Sequence, residues 1–207
     1  MERSGLSRIV PIALIIIISG IAIFALFSVG RSLFSGDGAN TSSPSASTLV
    51  NVGKTALTNT LADRGVRMIV RGPLVANENY RSYTITVNPD ARNMTTYRGY
   101  MGEQIDSEQL TNNLQAYEQF VYALDHANLM EGTPLTGDAN DVRGLCASGN
   151  IYEFEVLQGV NSIQKLWTST CSGSVGSLKA SLSQVTSLFR AQIPEYTTLA
   201  SKIDISN

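Results

Sequence analysis

Hydrophobic and polar positions alternate in distinct rhythms along the chain, and the most extreme comes first. Residues 9–30 are 22 consecutive positions without a charge, with four isoleucines (Ile15 to Ile18) at their centre. As a helix this stretch is about 33 Å long, enough for a hydrocarbon core of about 30 Å. Residues 48–62 carry apolar side chains at helical spacing (Leu49, Val52, Ala56, Leu57, Leu61) and predict a helix stopped near Arg64-Gly65. A short strand over 66–70 follows, interrupted by Gly72-Pro73. Residues 80–88 (YRSYTITVN) alternate and are rich in Thr, Tyr, Ile and Val. Pro89-Asp90 signals a turn, and 92–100 return as the partner strand of an antiparallel hairpin.

A second helix is predicted from Asp106-Ser107, where Asp106 and Gln109 have capping-box spacing and Leu110, Leu114, Tyr117, Val121 and Leu124 form a stripe. Residues 131–144 read as loop. A second hairpin follows, with Tyr152, Phe154 and Val156 on one face of its first strand, a turn near 158–161, and residues 163–170 returning. Leu178, Leu182, Val185 and Phe189 define a last helix that Pro194 ends or kinks, with Trp167 packing beneath it. The expected order is α-β-β-β-α-β-β-α. Helices interleaved with hairpins argue for an α+β domain, an antiparallel sheet with about three helices on one face.

Flanking residues orient the apolar segment. Arg3 and Arg8 precede it, offset by Glu2, which favours a cytoplasmic N-terminus and an exterior C-terminal domain. A cleavable signal peptide would have a shorter apolar run and a small-x-small site, where this chain has Ser28-Val29-Gly30. The expected organisation is a cytoplasmic tail (1–8), a transmembrane helix (9–30), a stalk (31–47) and an extracytoplasmic α+β domain (48–207). The stalk contains SGDGANTSSPSAS, too poor in apolar surface to order itself. The lipid bilayer is the partner of residues 9–30, and another envelope protein is the expected partner of the domain. From Ser45 onward there are 12 basic and 15 acidic side chains, net −3, so no nucleic acid is expected.

The chain has two cysteines, Cys146 and Cys171, on opposite sides of the second hairpin's turn. An even pair in an oxidising compartment predicts a cross-strand disulfide at the open end of that hairpin.

Candidate chemistry is sparse. Thr168-Ser169-Thr170-Cys171, with His126 and Arg190, resembles the TLxTC strand of sortase transpeptidases, which implies a cell-surface thiol enzyme using Cys171 as nucleophile. Cys146 competes for the sulfur. An apolar N-terminal helix, an α/β head and a late disulfide resemble pilin-like filament subunits, but no Glu occurs within the apolar span. Ser162 and Lys165 have S-x-x-K spacing without the partner motifs of penicillin-recognising enzymes. Asp138, Asn140 and Asp141 lack an EF-hand's remaining ligands, and one histidine excludes a three-histidine metal site. No cofactor is expected. The densest candidate is a binding face on the first hairpin, where Tyr80, Arg81, Tyr83, Arg92, Tyr97, Arg98 and Tyr100 interleave aromatic and basic side chains. The function expected from these features is that of a non-enzymatic, single-pass anchored extracytoplasmic interaction or accessory domain.

Overall fold

A computed structural model describes residues 46–205, which lie in the second of two units into which the chain divides, Pro44–Asn207. The expected tail, transmembrane helix and most of the stalk lie outside the described residues. Among the described residues, no helix is long and apolar enough to cross a membrane.

The domain is α+β. Helix α1 (Ala46–Leu57) leads into four strands: β1 (Arg64–Arg71), β2 (Arg81–Val87), β3 (Ala91–Arg98) and β4 (Glu103–Thr111). Helix α2 (Leu114–His126) follows, then β5 (Ile151–Gln158), β6 (Asn161–Ser169), α3 (Leu182–Arg190) and α4 (Tyr196–Ser201). All six strands form one antiparallel sheet in the order β4-β3-β2-β1-β5-β6. The first four are a meander, and β5 returns to pair along the free side of β1.

Alternation along the strands sorts side chains between two faces. Val66, Met68, Val70, Tyr83, Ile85, Val87, Met94, Tyr152, Phe154, Val156 and Leu166 point to one side. There they join Leu57 of α1, Tyr117, Phe120, Val121 and Leu124 of α2, Val185 and Phe189 of α3, and Leu199 of α4 in one core. All four helices therefore cover a single face. Phe189 lies at its centre, its ring 5.2 Å from Phe120 and 5.9 Å from Phe154.

Local chemistry sets the turns. The Asn88 side chain accepts from the amides of Asp90 (2.9 Å) and Ala91 (2.7 Å), closing the β2–β3 hairpin. Asn113 caps α2 by accepting from Ala116 N–H at 2.9 Å, and Ser181 caps α3.

Three expectations need correction. The helix expected to start at Asp106 starts at Leu114, and Asp106-Ser107 belong to β4, the fourth strand of the meander. Asp106 instead accepts from its neighbour Ser107 N–H and pairs with Lys202. The half-buried side of this edge strand carries Asp106 and Glu108 before Leu110, so no apolar two-residue period shows, and Leu110 falls four residues before Leu114, mimicking a helical stripe. Pro194 separates α3 from a fourth helix, so the order is α-β-β-β-β-α-β-β-α-α. Trp167 does not lie under the last helix. It is on the opposite sheet face, clustered with Val142, Cys146 and Ile151 beneath the segment 131–150.

That segment crosses the helix-free face of β5 and β6 and contains a short 3-10 turn, Gly137–Asn140. Its start is tied to the chain beyond β6 by a bridge between Gly132 and Leu178, and Lys179 N–H donates to Glu131 O. Gly132 has φ +143°, and a Cβ there would stand 2.0 Å from the Ser177 carbonyl oxygen. Gly132→Ala is expected to cost about 2–4 kcal/mol in urea denaturation. Gly159→Ala has φ +58° and nothing within 4 Å of the new carbon, so about 1 kcal/mol is expected for the left-handed backbone alone.

Burial pushes the phenols of Tyr83 and Tyr117 well above the usual tyrosine range, and Tyr196 beside Tyr83 adds to the effect. A phenol that ionises later folded than unfolded leaves stability intact below pH of about 10. Above it the unfolded chain releases these protons first, and stability falls as pH rises. Denaturation from pH 8 to 11 should show that slope, and Tyr83→Phe or Tyr117→Phe should flatten it.

Candidate interaction surface

Side chains on the helix-free face compensate for one another in charge. Glu153 and Glu155 of β5 are both buried. Arg67 donates to Glu155 at 2.6 Å, and Arg71 donates to Glu153 at 2.7 Å. Lys165 reaches across from β6 to Glu153 at 3.0 Å and also donates to the Asn140 carbonyl of the crossing segment at 2.9 Å. Buried carboxylates demand such partners. The ladder is thus consumed in holding β1, β5, β6 and the segment together.

Cys146 and Cys171 form the expected disulfide, with Cα atoms 5.6 Å apart, but it does not link paired strands: Cys146 lies in the crossing segment before β5, and Cys171 lies beyond the end of β6. Asn150 N–H donates to the Thr170 hydroxyl beside it at 2.8 Å, and Thr170 N–H donates back to Asn150 O. The bridge pins the crossing segment to the end of β6. It also occupies the Cys171 sulfur, and no free cysteine remains.

The register brings a further set of groups together at one end of the sheet. Arg71 pairs with Ser82 and Ile151, Arg81 with Arg98, Arg98 with Glu103, and Ile151 with Ser169. Four connections therefore emerge side by side: residues 72–80, 99–102, 144–150 and 170–176. Hydrogen bonds join each to the next. Tyr100 OH donates to Val75 O at 2.7 Å, and Tyr100 N–H donates to the Asn77 side chain at 2.8 Å. Leu74 N–H donates to Ala147 O at 2.9 Å, and the Ser174 hydroxyl donates to Leu145 O at 2.6 Å. The Tyr80 and Tyr100 rings stack at 4.1 Å.

This rim carries Leu74, Val75, Tyr100, Met101, Leu145 and Val175 in exposed positions. Met101 is 95% exposed and Val175 72%. Met101 sits in a turn whose glycines, Gly99 and Gly102, adopt φ +69° and +72°. Burial pushes the Tyr80 phenol up, against the pull of Arg71. Hydrogen bonding from Arg98 holds the Glu103 carboxyl below its usual range.

The seven hairpin residues expected to form one face are divided. Tyr80, Arg81, Arg98 and Tyr100 meet at the rim, with the Arg81 guanidinium donating to the carbonyls of Glu78 (2.6 Å) and Tyr80 (2.9 Å). Tyr83 is buried in the core. Arg92 reaches to Gln192 O at 3.1 Å on the helix side, and Tyr97 stands on the opposite face, paired with Ser82. Strand alternation separates residues that are neighbours in sequence. Leu74, Val75, Met101, Leu145 and Val175 carried no periodic signal. An apolar residue between two turn glycines, as at Met101, is the one local hint.

Other candidate groups stand apart. His126 is exposed at the end of α2, and Ser162 lies on a strand. Asp141 is occupied by Arg143, whose side-chain and backbone N–H groups lower its carboxyl to about 2. Among the described residues, no group of three or more His, Cys, Asp or Glu could hold a metal ion. No protein-family model matches the chain, and no curated protein matches it.

Replacing both Cys146 and Cys171 by Ser should remove about 3 kcal/mol of stability in the loop-entropy account. The checks are a lower urea midpoint and loss of the oxidised protein's sensitivity to reductant.

Proposed function

We propose that this chain is a non-enzymatic interaction domain, held outside the cell membrane by residues 9–30, and that the rim of four joined connections is its binding surface. The observation that carries this reading is the rim itself. Several exposed apolar side chains are gathered on loops that hydrogen bonds and a disulfide hold in place. Exposed apolar groups cost solubility unless something covers them in use, and loops braced by a scaffold are where binding residues concentrate. Tyr100, Arg81 and Arg98 add the aromatic and guanidinium groups that dominate protein contacts, and the buried Tyr80 ring supports Tyr100 from beneath.

The anchoring rests on sequence: 22 uncharged positions with basic residues before them. The disulfide supports an oxidising location for the domain. Tethering raises the local concentration of whatever lies near the membrane, so a modest surface suffices.

Photo-crosslinkers at positions 101 and 175 of the full chain, in its native membrane, should capture a component. Crosslinkers at 122 on α2 or 160 at the opposite end should not. Met101→Asp should weaken the association about tenfold or more, since each factor of ten is about 1.4 kcal/mol. Equal capture from all four positions, or none from 101 and 175, would sink the assignment.

A further inference from the structure

Taking the rim as the binding surface, we infer that Met101 is a modification site, at which a hydroperoxide turns that surface from apolar to polar and weakens binding there. The site follows from which sulfur atoms the fold shields and which it leaves open.

The chain has two cysteines and five methionines. Both cysteine sulfurs are spent in the Cys146–Cys171 bridge, so the chain offers a peroxide no thiol. The oxidisable sulfurs that remain are thioethers. Met1 lies outside the described residues. Met68 and Met94 are 0% exposed, on the helix-covered face of β1 and β3. Met130 is 5% exposed and packs on α1, where a Cβ on Gly53 would stand 3.3 Å from its own. Met101, at 95%, is the one exposed methionine among the described residues. The rim's other apolar side chains, Leu74, Val75, Leu145 and Val175, carry no atom that a peroxide oxidises. One position therefore takes the oxygen, and it is the most exposed apolar side chain of the surface.

The turn that presents Met101 is held without its side chain. Gly102 N–H donates to Gly99 O at 3.1 Å, and Gly99 N–H donates to Tyr80 O at 2.9 Å. Tyr100 is fixed through the Asn77 side chain and the Val75 carbonyl. Oxygen added to the Met101 sulfur therefore leaves the fold intact. At Met68 or Met94 the same atom would enter a close-packed core.

The step is an oxygen-atom transfer. A sulfur lone pair attacks the terminal oxygen of the hydroperoxide, and the O–O bond breaks. The departing oxygen keeps the electron pair and takes the proton, leaving as water or an alcohol. Sulfur is oxidised by two electrons to the sulfoxide, and the peroxide is reduced by two. A flexible apolar side chain becomes a polar, chiral one. Covering the sulfoxide with a surface suited to the thioether strips its oxygen of water and returns no donor, which costs binding. Thiol-driven sulfoxide reductases restore the thioether and release water, so the change is reversible.

The test treats the full chain, in its native membrane, with hydrogen peroxide and follows each methionine peptide by mass. Met101 should gain one oxygen about tenfold faster, or more, than Met68, Met94 or Met130, since a buried thioether is reached only when the fold opens. Capture through a crosslinker at position 175 should then fall about threefold or more. Untreated Met101→Gln, which places an amide there, should show a similar fall. Met101→Leu stays apolar and has no sulfur, so its capture should hold with and without peroxide. Met68 or Met94 oxidising as fast as Met101 overturns the inference. So does an equal loss of capture in Met101→Leu, or undiminished capture from a chain fully oxidised at Met101. If in that last case Met101→Asp still lowers capture, the rim remains the binding surface and the modification alone is dismissed. If Met101→Asp has no effect either, both readings fall.

Discussion

Everything else in the domain depends on the pairing of β1 with β5. These strands come from opposite halves of the chain; Arg67 and Glu155, joined at 2.6 Å, are 88 positions apart. Their contact turns a four-strand meander into a six-strand sheet and makes β1 and β5 interior strands. Interior strands must satisfy both faces. On one side Val66, Met68, Val70, Phe154 and Val156 are buried by the helices. On the other, two buried carboxylates are stable only because Arg67, Arg71 and Lys165 reach them. Paired in this way, Glu153 and Glu155 select a register, since a shift of one residue would turn them into the apolar core.

The asymmetry of this covering explains where apolar surface is left exposed. Helices occupy one face of the sheet. The segment 131–150 roofs β5 and β6 on the other, fastened by the disulfide, by Lys165 and by the Gly132 bridge. The outer edge of β6 is closed by residues 174–178, with Ser177 and Leu178 N–H groups donating to Trp167 O. The opposite edge, β4, carries Glu103, Asp106 and Glu108, charges that discourage another strand from adding there. The loop-rich end is where apolar surface gathers in the open, on connections rigid enough to present it.

Much of the fold was legible in the chain because its signals are local. The β2–β3 hairpin, the cysteine hairpin with its turn at residues 158–161, and the stripe of Tyr117, Val121 and Leu124 are read from spacing within a dozen residues or so. Strand β4 was not legible, because its half-buried positions are mostly charged (Asp106, Glu108) and leave no apolar period to detect. Trp167 was assigned to the wrong face because its neighbour Val142 belongs to a loop whose path has no sequence signature. The Tyr/Arg hairpin was half legible: composition flagged a dense set of groups, but pleating divides them between the core, the opposite face and the rim.

By itself the sequence determined the α+β class, the pairing of its two cysteines, and an uncharged stretch long enough to span a bilayer. Each follows from a property of consecutive residues. The tertiary structure alone decided that Leu74, Met101, Leu145 and Val175 share one rim. These positions lie on four connections with no periodicity between them, and only the antiparallel register, carried through β1 and β5, brings their ends to the same side of the sheet.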